Sequence, residues 1–289
     1  MKFGVHYSLG VGFNPSANDY FRVAERAEAL GYQSIWLGDH IVIPEQIAAP
    51  YPYTKDGSVG FARRTPWPDP FALLAAIGAK TRTIRLGTSV TIIPYRNPLH
   101  VAKSVATVDL VSNGRCLFGV GIGWLKEEFD ALGEKFSERA SRTREYLRVM
   151  KTLWSSELSS FQGKYFSFTD VYSLPLPVQK PHPPIIFGGE SPAALRRVAD
   201  LGDGWQPGPI PVEILRDKLA QLRDLMDERG RDFSRLSISM IGSVPDLKRN
   251  PEKIAQLEAL GVHEILLFMT GENADKTVAE VEEGAGFIK

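Results

Sequence analysis

The sequence predicts an α/β protein folded as a (β/α)8 TIM barrel with insertion loops, in one domain over residues 1–289. Three observations point to this fold: the chain length, eight short apolar runs, and the amphipathic, helix-like stretches that separate them. Strands that alternate with helices form βαβ units and a parallel sheet, and eight such units close a barrel. The predicted strands are 2–7, 33–37, 84–90, 115–121, 184–188, 204–207, 236–241 and 264–269.

The predicted helices share the same residue types at their first and last positions. An oxygen-bearing N-cap precedes a first-turn proline at Asp69-Pro70, Asn97-Pro98, Ser191-Pro192 and Asn250-Pro251. A glycine suited to the left-handed conformation ends a helix at Gly31, Gly114, Gly202, Gly230 and Gly261. The competing architecture, an open doubly wound sheet, carries a G-x-G-x-x-G turn after its first strand. Residues 8–13 lack that spacing, which favours the closed barrel.

Two segments interrupt the alternation. Residues 41–68 hold five prolines and the aromatic residues Tyr51, Tyr53, Phe61 and Trp67. A long loop at the carboxyl end of a barrel strand is typical of a substrate lid, and its aromatic content argues against disorder; the alternative is a passive surface insertion. Residues 155–183 contain an extended hairpin pattern at 161–168 and a proline-rich tail, with no evident chemistry.

Charge and composition exclude several classes of partner. Lys plus Arg number 34, as do Asp plus Glu, so no net positive field attracts nucleic acid or an anionic membrane. No apolar stretch approaches the length of a membrane span, and the first residues lack the apolar run of a signal peptide, which predicts a cytoplasmic protein. The single cysteine, Cys116, excludes an internal disulfide and is expected to be a buried core thiol.

The carboxyl ends of the strands are where a barrel places its reactive groups. Asp39 and His40 end the second predicted strand. Histidine titrates near neutral pH and suits general acid or base catalysis, while the neighbouring carboxylate could bind a polar ligand edge. The structural alternative is that Asp39 caps a turn and His40 is satisfied by backbone. Residues 86–90, at the end of the third strand, indicate only a buried strand.

Glycines mark the next strand ends. Gly121-Ile122-Gly123 would let the backbone approach a flat or phosphorylated ligand, or would simply form a tight turn. Gly188-Gly189 precede Glu190 and a capped helix, where free amides and the helix dipole favour phosphate provided that Glu190 points away. Residues 201–205 are expected to be a turn with a core tryptophan.

Other chemistries find little support in the sequence. The five histidines are far apart and show no zinc-ligand spacing, so no metal site is predicted. A serine-hydrolase G-x-S-x-G elbow and a cysteine pair are also absent. The pattern therefore indicates a barrel whose bound cofactor supplies the chemistry.

These motifs together resemble the luciferase-like flavin monooxygenase superfamily of bacterial luciferase, and within it the coenzyme F420-dependent oxidoreductases. The resemblance covers nearly the whole chain. It is densest in Asp69-Pro70, IRLGTSV at 84–90, PYRNP at 94–98, LVSNGR at 110–115, GVGIGWLKEEF at 119–129, PPI at 183–185, Gly188-Gly189 and GDGW at 202–205.

The resemblance implies specific roles for these positions. A non-proline cis peptide is expected at Ser89-Val90, with the isoalloxazine-type ring packed against it. His40 matches the proton donor or substrate anchor, and Asp39 is expected beside the ring edge. The turn Gly121-Ile122-Gly123 would lie along the cofactor, and Gly188-Gly189-Glu190 would form the phosphate-binding turn. Family members are typically homodimers, so a homodimer that binds a small-molecule substrate is expected.

Two positions depart from the deazaflavin sugar-phosphate dehydrogenases of this superfamily. Those enzymes carry a tryptophan four residues beyond the histidine, where this chain has Pro44. They also place a catalytic glutamate just after the glycine-rich turn, where this chain has Gly123-Trp124. Sugar-phosphate oxidation is therefore not expected.

The expected function is hydride transfer between coenzyme F420 and a small organic substrate. The first alternative is an FMN-dependent monooxygenase that uses reduced flavin and dioxygen, because both cofactors need a ring slot and a phosphate site. The second is a non-catalytic flavin-binding barrel, against which the intact Asp39-His40 pair and the long loop argue.

Overall fold

The computed structural model describes residues 1–7, 15–52, 54, 56–59, 61 and 63–288. Within these ranges the strands are β1 Lys2–Tyr7, β2 Ser34–Leu37, β3 Arg85–Thr88, β4 Thr91–Ile92, β5 Cys116–Gly121, β6 Leu158–Gln162, β7 Ser167–Tyr172, β8 Ile185–Gly188, β9 Gly204–Gln206, β10 Ser237–Gly242 and β11 Glu264–Met269. The α-helices are α1 Ala17–Ala29, α2 Pro70–Lys80, α3 Pro98–Val111, α4 Lys126–Ala131, α5 Arg139–Ser155, α6 Pro192–Leu201, α7 Val212–Asp227, α8 Val244–Arg249, α9 Glu252–Ala259 and α10 Ala274–Gly284.

Eight of these strands close into a parallel barrel in the order β1, β2, β3, β5, β8, β9, β10, β11. The ring closes because β1 pairs with both β2 and β11, so that Val5 lies opposite Ile35 on one side and Leu267 on the other. The predicted TIM barrel is confirmed. A short additional strand, β4, follows β3 and pairs with β5.

The interior of the barrel is filled by side chains from several strands. Trp36, Leu117, Ile186 and Leu266 form one buried cluster. Trp36 fits because Gly87 on the neighbouring strand has no side chain: a Cβ there would lie 2.2 Å from the indole ring. Residues of opposite orientation, such as Val5 and Ile35, join the larger core between the barrel and its helices. The predicted core thiol Cys116 is buried in the same layer.

Three of the four predicted N-caps are confirmed. The side chains of Asp69, Asn97 and Ser191 accept backbone N–H groups of the first turns of α2, α3 and α6. The prediction for Asn250 is wrong: its side-chain amide donates to the carbonyl and carboxylate of Asp246, and α9 starts after Pro251 without a side-chain cap. The amide contacts at the end of α8 hold Asn250 away from the new helix.

Four of the five predicted helix-ending glycines have positive φ: Gly31, Gly114, Gly230 and Gly261. Gly202 does not, because its φ is −83° and the chain enters β9 in an extended conformation. Close packing explains the glycine instead, since a Cβ at Gly202 would lie 3.0 Å from the Phe187 ring and from the Val198 carbonyl.

The two insertions differ in structure. Strands β6 and β7 form the predicted hairpin, which extends beyond 161–168 to residues 158–172. The described residues of 41–68 form no helix or strand. Tyr53 and the turn at 8–13 lie outside the described residues. No helix in the described ranges is long and apolar enough to cross a membrane, and no cluster of His, Cys, Asp or Glu there could hold a metal ion.

Candidate active site

The site residues predicted from the sequence follow four strands that are consecutive in the barrel, β2, β3, β5 and β8. Because these strands are parallel, their carboxyl ends meet along one side of the same rim, which we call the barrel mouth. The residues there are Asp39 and His40 after β2, Ser89 and Val90 after β3, Gly121, Ile122 and Gly123 at the end of β5, and Gly188, Gly189 and Glu190 at the end of β8.

The peptide bond between Ser89 and Val90 is cis, as the resemblance implies. The side chain of Val90 occupies space that two glycines leave open. A Cβ at Gly121 would lie 2.6 Å from Val90 Cγ2, and a Cβ at Gly188 would lie 3.2 Å from Val90 Cγ1. The Val90 side chain therefore forms an apolar bulge at the mouth and packs against the ends of β5 and β8. The apolar surface of this side chain suits one face of a flat ring.

Gly123 turns the chain from β5 towards α4. Its φ is +82°, and a Cβ would meet Ile92 and the Phe129 ring at 2.8 Å. Ile122, just before it, is half-buried. The expected contacts of this turn with a cofactor stay a prediction, and packing alone already requires a glycine here.

Asp39 is engaged entirely within the protein. Its carboxylate oxygens accept from Arg96 Nη1 and Nη2, both at 2.7 Å, and one oxygen also accepts from the Ile92 amide at 3.0 Å. The side chain has no exposed area. These bonds brace the segment that follows the cis peptide, so the carboxylate supports the Val90 bulge from behind. A direct contact between Asp39 and a ring edge stays a prediction.

His40 lies at the mouth with one ring nitrogen engaged. Its Nδ1 is 2.7 Å from Oε2 of Glu128, a carboxylate with no exposed area. The imidazole packs against Trp67 and Phe61, with ring centroids 5.0 Å and 5.3 Å apart. Among the described residues, Nε2 has no hydrogen-bond partner. His40 therefore offers Nε2 to a ligand, which fits its predicted catalytic role.

A second histidine lies deeper in the mouth. Ser89 Oγ accepts from Gln206 Nε2 at 2.7 Å and lies 3.0 Å from His6 Nε2, so β1, β3 and β9 are joined across the interior. Burial lowers the pKa of His6 to about 4, which keeps the ring neutral near pH 7. Within the described part of the chain, His6 Nδ1 and Gln206 Oε1 are buried without hydrogen-bond partners. Phe268 stacks on His6 with ring centroids 5.2 Å apart.

The predicted phosphate turn has a basic neighbour. Glu190 Oε1 accepts from the Gly208 amide, which directs the carboxylate towards the segment after β9. Lys218, on α7, donates from Nζ to the Glu190 carbonyl at 2.8 Å. The Gly189 carbonyl accepts from the indole of Trp205, which is fully buried, as expected for a core tryptophan. The turn thus combines a capped helix N-terminus with a positive charge.

The segment 41–68 packs over one side of the mouth. A Cβ at Gly38 would lie 2.5 Å from the Trp67 ring, so the indole rests directly on the end of β2. Tyr51 packs edge-on against Trp124, with centroids 5.1 Å apart. Glu127 Oε1 accepts the amides of Ala48 and Ala49 at 2.8 Å and 3.0 Å. Trp67 and Phe61 therefore lie against His40, and Tyr51 packs on Phe61. The role of the segment as a substrate lid stays a prediction.

Sequence reasoning missed four residues of this site: Glu128, His6, Gln206 and Lys218. Glu128 lies within the quoted GVGIGWLKEEF motif, but two acidic residues in a first helical turn normally indicate a favourable helix dipole rather than a site. His6 is a polar residue within an otherwise largely apolar predicted strand, and this pattern could have indicated a functional residue. Gln206 and Lys218 are distant in sequence from the other site residues, and only the barrel brings them to the mouth.

Comparison with known proteins places these features in a family. The family model described as luciferase-like monooxygenase matches residues 1–280. An uncharacterized protein of Mycobacterium tuberculosis is 33% identical over 284 residues, which is 96% of each chain. An F420-dependent glucose-6-phosphate dehydrogenase of Amycolatopsis mediterranei is 32% identical over 223 residues, covering 73% of this chain and 61% of that protein. An FMNH2-dependent dimethylsulfone monooxygenase of Pseudomonas putida is 34% identical over 155 residues, covering 53% of this chain and 41% of that protein.

Proposed function

This chain belongs to the luciferase-like monooxygenase family, and on that premise we propose that it is a coenzyme F420-dependent oxidoreductase. The reaction is hydride transfer between the deazaflavin and a small organic carbonyl compound or alcohol. The observation that carries this proposal is His40: a buried carboxylate engages Nδ1, and Nε2 is left open at the mouth. Interconversion of a carbonyl and an alcohol needs such a proton donor and acceptor beside the hydride site.

The residues present fit a flavin-type ring with a phosphate-bearing tail. Val90 supplies an apolar face for the ring, with Gly121 and Gly188 leaving room behind it. His6 Nδ1, which donates or accepts according to the tautomer of the ring, and the acceptor Gln206 Oε1 are buried polar atoms that match the polar edge of a ring system. The N-terminus of α6 with Lys218 suits the phosphate. When bound, the reduced deazaflavin supplies a hydride and does not activate dioxygen.

The protein's own residues would then handle binding and the proton. His40 Nε2 donates a proton to the substrate oxygen during carbonyl reduction and accepts it during alcohol oxidation. Trp67 and Phe61 position the imidazole and, with the rest of segment 41–68, exclude water from the mouth. Asp39 and Arg96 keep the Val90 bulge in place.

The choice of deazaflavin over FMN rests on two supports. A carboxylate-backed histidine suits proton-coupled hydride transfer, and the relative named for F420 aligns over more of this chain than the relative named for FMNH2. Pro44 and the Gly123-Trp124 turn argue against a sugar phosphate as the substrate. We also propose a homodimer, which sedimentation equilibrium would test by measuring the molecular mass in solution against the 32.0 kDa chain.

The decisive experiment is a fluorescence-quench titration of the purified protein with coenzyme F420 and, separately, with FMN. We expect F420 to bind at least tenfold more tightly, and carbonyl reduction to proceed without oxygen consumption. The opposite preference, with oxygen consumed, would assign the chain to the FMN-dependent monooxygenases. If neither cofactor binds, the proposed function is wrong.

A further inference from the structure

We propose that Glu128 is the positioning residue of this site. Its carboxylate holds His40 in the tautomer that leaves the Nε2 lone pair free, and it ties the imidazole to the start of segment 41–68. The inference rests on the proposed function only where it concerns turnover, because the tautomer is a property of the protein itself.

The carboxylate of Glu128 makes four hydrogen bonds in an environment without solvent. Oε2 lies 2.7 Å from His40 Nδ1 and accepts from the Tyr95 hydroxyl at 2.9 Å. Oε1 accepts the amides of Ile41 and Val42 at 2.7 Å and 3.2 Å. Burial, together with the nearby Glu128, raises the pKa of Tyr95, so its hydroxyl stays a donor. Both oxygens are thus fully used, and each serves a different part of the mouth.

These partners determine which nitrogen of His40 carries the proton. An ionised carboxylate can only accept, so Nδ1 must be the N–H of the neutral ring. Nε2 then carries the lone pair, and it is the nitrogen without a partner among the described residues. A histidine oriented in this way can take a proton at Nε2 and return it, as in other carboxylate-backed imidazoles.

The charge of Glu128 has no basic partner among the described residues other than His40. A buried carboxylate that lacks a Lys or Arg partner is costly unless hydrogen bonds or a nearby positive charge stabilise it. The positive charge that forms on the imidazole when Nε2 takes a proton lies directly against this carboxylate. Glu128 is therefore arranged to stabilise the protonated step of His40.

Glu128 also couples His40 to the segment that covers it. The amides of Ile41 and Val42 directly follow His40 and share one oxygen, so the ring and the beginning of the segment are fixed together. Glu127, its neighbour on α4, holds the same segment farther along by accepting the amides of Ala48 and Ala49, whereas the carboxylate on His40 is that of Glu128. The chain thus supplies a matched control for the effect of tethering alone.

The variant Glu128→Gln is expected to invert the tautomer. The two backbone amides can only donate, so the amide oxygen of the new side chain must face them. Its NH2 group then points towards Nδ1, which has to become the acceptor, and the proton moves to Nε2. Glu127→Gln weakens the tether and leaves the tautomer unchanged.

Long-range 15N–1H NMR of 15N-histidine-labelled protein without cofactor measures the tautomer directly, and a His40→Gln variant assigns its signals. We expect the Nδ1–H tautomer in the natural protein and in Glu127→Gln, and the Nε2–H tautomer in Glu128→Gln. An Nε2–H tautomer in the natural protein would overturn the proposal without any variant. An unchanged tautomer in Glu128→Gln, or an equal change in Glu127→Gln, would also overturn it.

Turnover supplies a second readout. Glu128→Gln is expected to lower kcat by roughly 10²- to 10⁴-fold, because a histidine in the wrong tautomer cannot take the proton at Nε2, with a smaller change in KM. Glu127→Gln is expected to raise KM more than it lowers kcat. If no cofactor binds, the proposed function fails while the NMR result still decides the role of Glu128. If kcat falls equally in both variants, Glu128 acts only as a tether and the proposal is wrong.

Discussion

The two ends of the barrel differ in which buried polar groups they bond to one another. At the base, where the strands begin, Glu264 accepts from the Ser34 hydroxyl at 2.5 Å, and the Ser34 oxygen accepts from the Trp36 indole at 2.6 Å. At the mouth, His6 Nδ1 and Gln206 Oε1 are buried without partners among the residues that the structure describes. Among the described residues, the base bonds Glu264, Ser34 and Trp36 to one another and leaves the Ser239 hydroxyl, opposite Glu264, without a partner, whereas the mouth leaves an imidazole nitrogen and an amide oxygen for a ligand.

The same strands contribute to both ends, which makes the difference informative. β1 places Gly4 at the base, where a Cβ would lie 2.4 Å from Ser34 Oγ, and places His6 two residues later at the mouth. β11 begins with Glu264 and presents the partly exposed Phe268 near its end. These two strands thus contribute closely packed groups where they begin and groups that face the mouth where they end, as barrel architecture allows.

The largest expected effect concerns the mouth. His40→Gln keeps an N–H donor for Glu128 but cannot move a proton, so kcat/KM should fall by roughly 10²- to 10⁴-fold. The melting temperature should change little, because the buried carboxylate keeps a donor. Steady-state kinetics and thermal unfolding measure the two quantities. Full activity in this variant would remove His40 from the mechanism.

The next effect is the pH dependence of stability, which should have opposite signs for Glu264 at the base and His6 at the mouth. Burial raises the pKa of Glu264 to about 7 from 4.5, so this group's contribution to stability is full below pH 4.5 and is lost as pH rises towards 7. Burial lowers the pKa of His6 from 6.5 to about 4, so its contribution is present above pH 6.5 and is lost as pH falls towards 4. Between pH 4.5 and 6.5 the two effects have opposite signs.

Single variants should separate these contributions. Relative to the natural protein, the unfolding free energy of Glu264→Gln should rise with pH between 4.5 and 7, and that of His6→Phe should fall with pH between 4 and 6.5. Each difference should span at most about 3 kcal/mol. Urea unfolding across this pH range measures both. Parallel pH curves for the natural protein and either variant would contradict the assignment for that residue.

The smallest expected effect compares the two ends of α6. Lys218 donates to the Glu190 carbonyl before this helix, and Lys151 donates to the Leu201 carbonyl at its end, at 2.9 Å. If a phosphate binds at the mouth, Lys218→Met should weaken FMN binding by about tenfold and leave riboflavin binding unchanged. Lys151→Met is the control and should alter neither affinity. Equal losses for FMN and riboflavin would mean that Lys218 does not contact the phosphate.

Much of the fold could be predicted from local patterns. Short apolar runs located the eight strands, and apolar residues spaced three and four apart indicated helices between them. Asp69, Asn97 and Ser191 cap helices as expected. Errors occurred where a distant contact changed a local role. Asn250 contacts Asp246 instead of capping α9, and Gly202 is a glycine because Phe187 packs against it.

For the candidate site, the sequence predicted where the groups lie better than what each one does. It singled out Asp39 and His40 equally, but Arg96 and Ile92 donate to the carboxylate of Asp39. His40 Nε2, in contrast, has no partner within the part of the chain that the structure describes. The partners of Asp39 come from the segment after the cis peptide, and the partner of His40 Nδ1 is Glu128 on α4. Local spacing in the sequence does not reveal either set of contacts.

The sequence by itself determined the barrel, the family and the strand ends that carry the chemistry, because apolar periodicity, caps and glycine turns are local properties of the chain. Only the tertiary structure decided that Glu128 lies beneath His40, that His6 and Gln206 meet at Ser89, and that Lys218 reaches the turn before α6. Barrel closure joins strands far apart in sequence, and the partners of a buried polar group are known only once those strands are side by side.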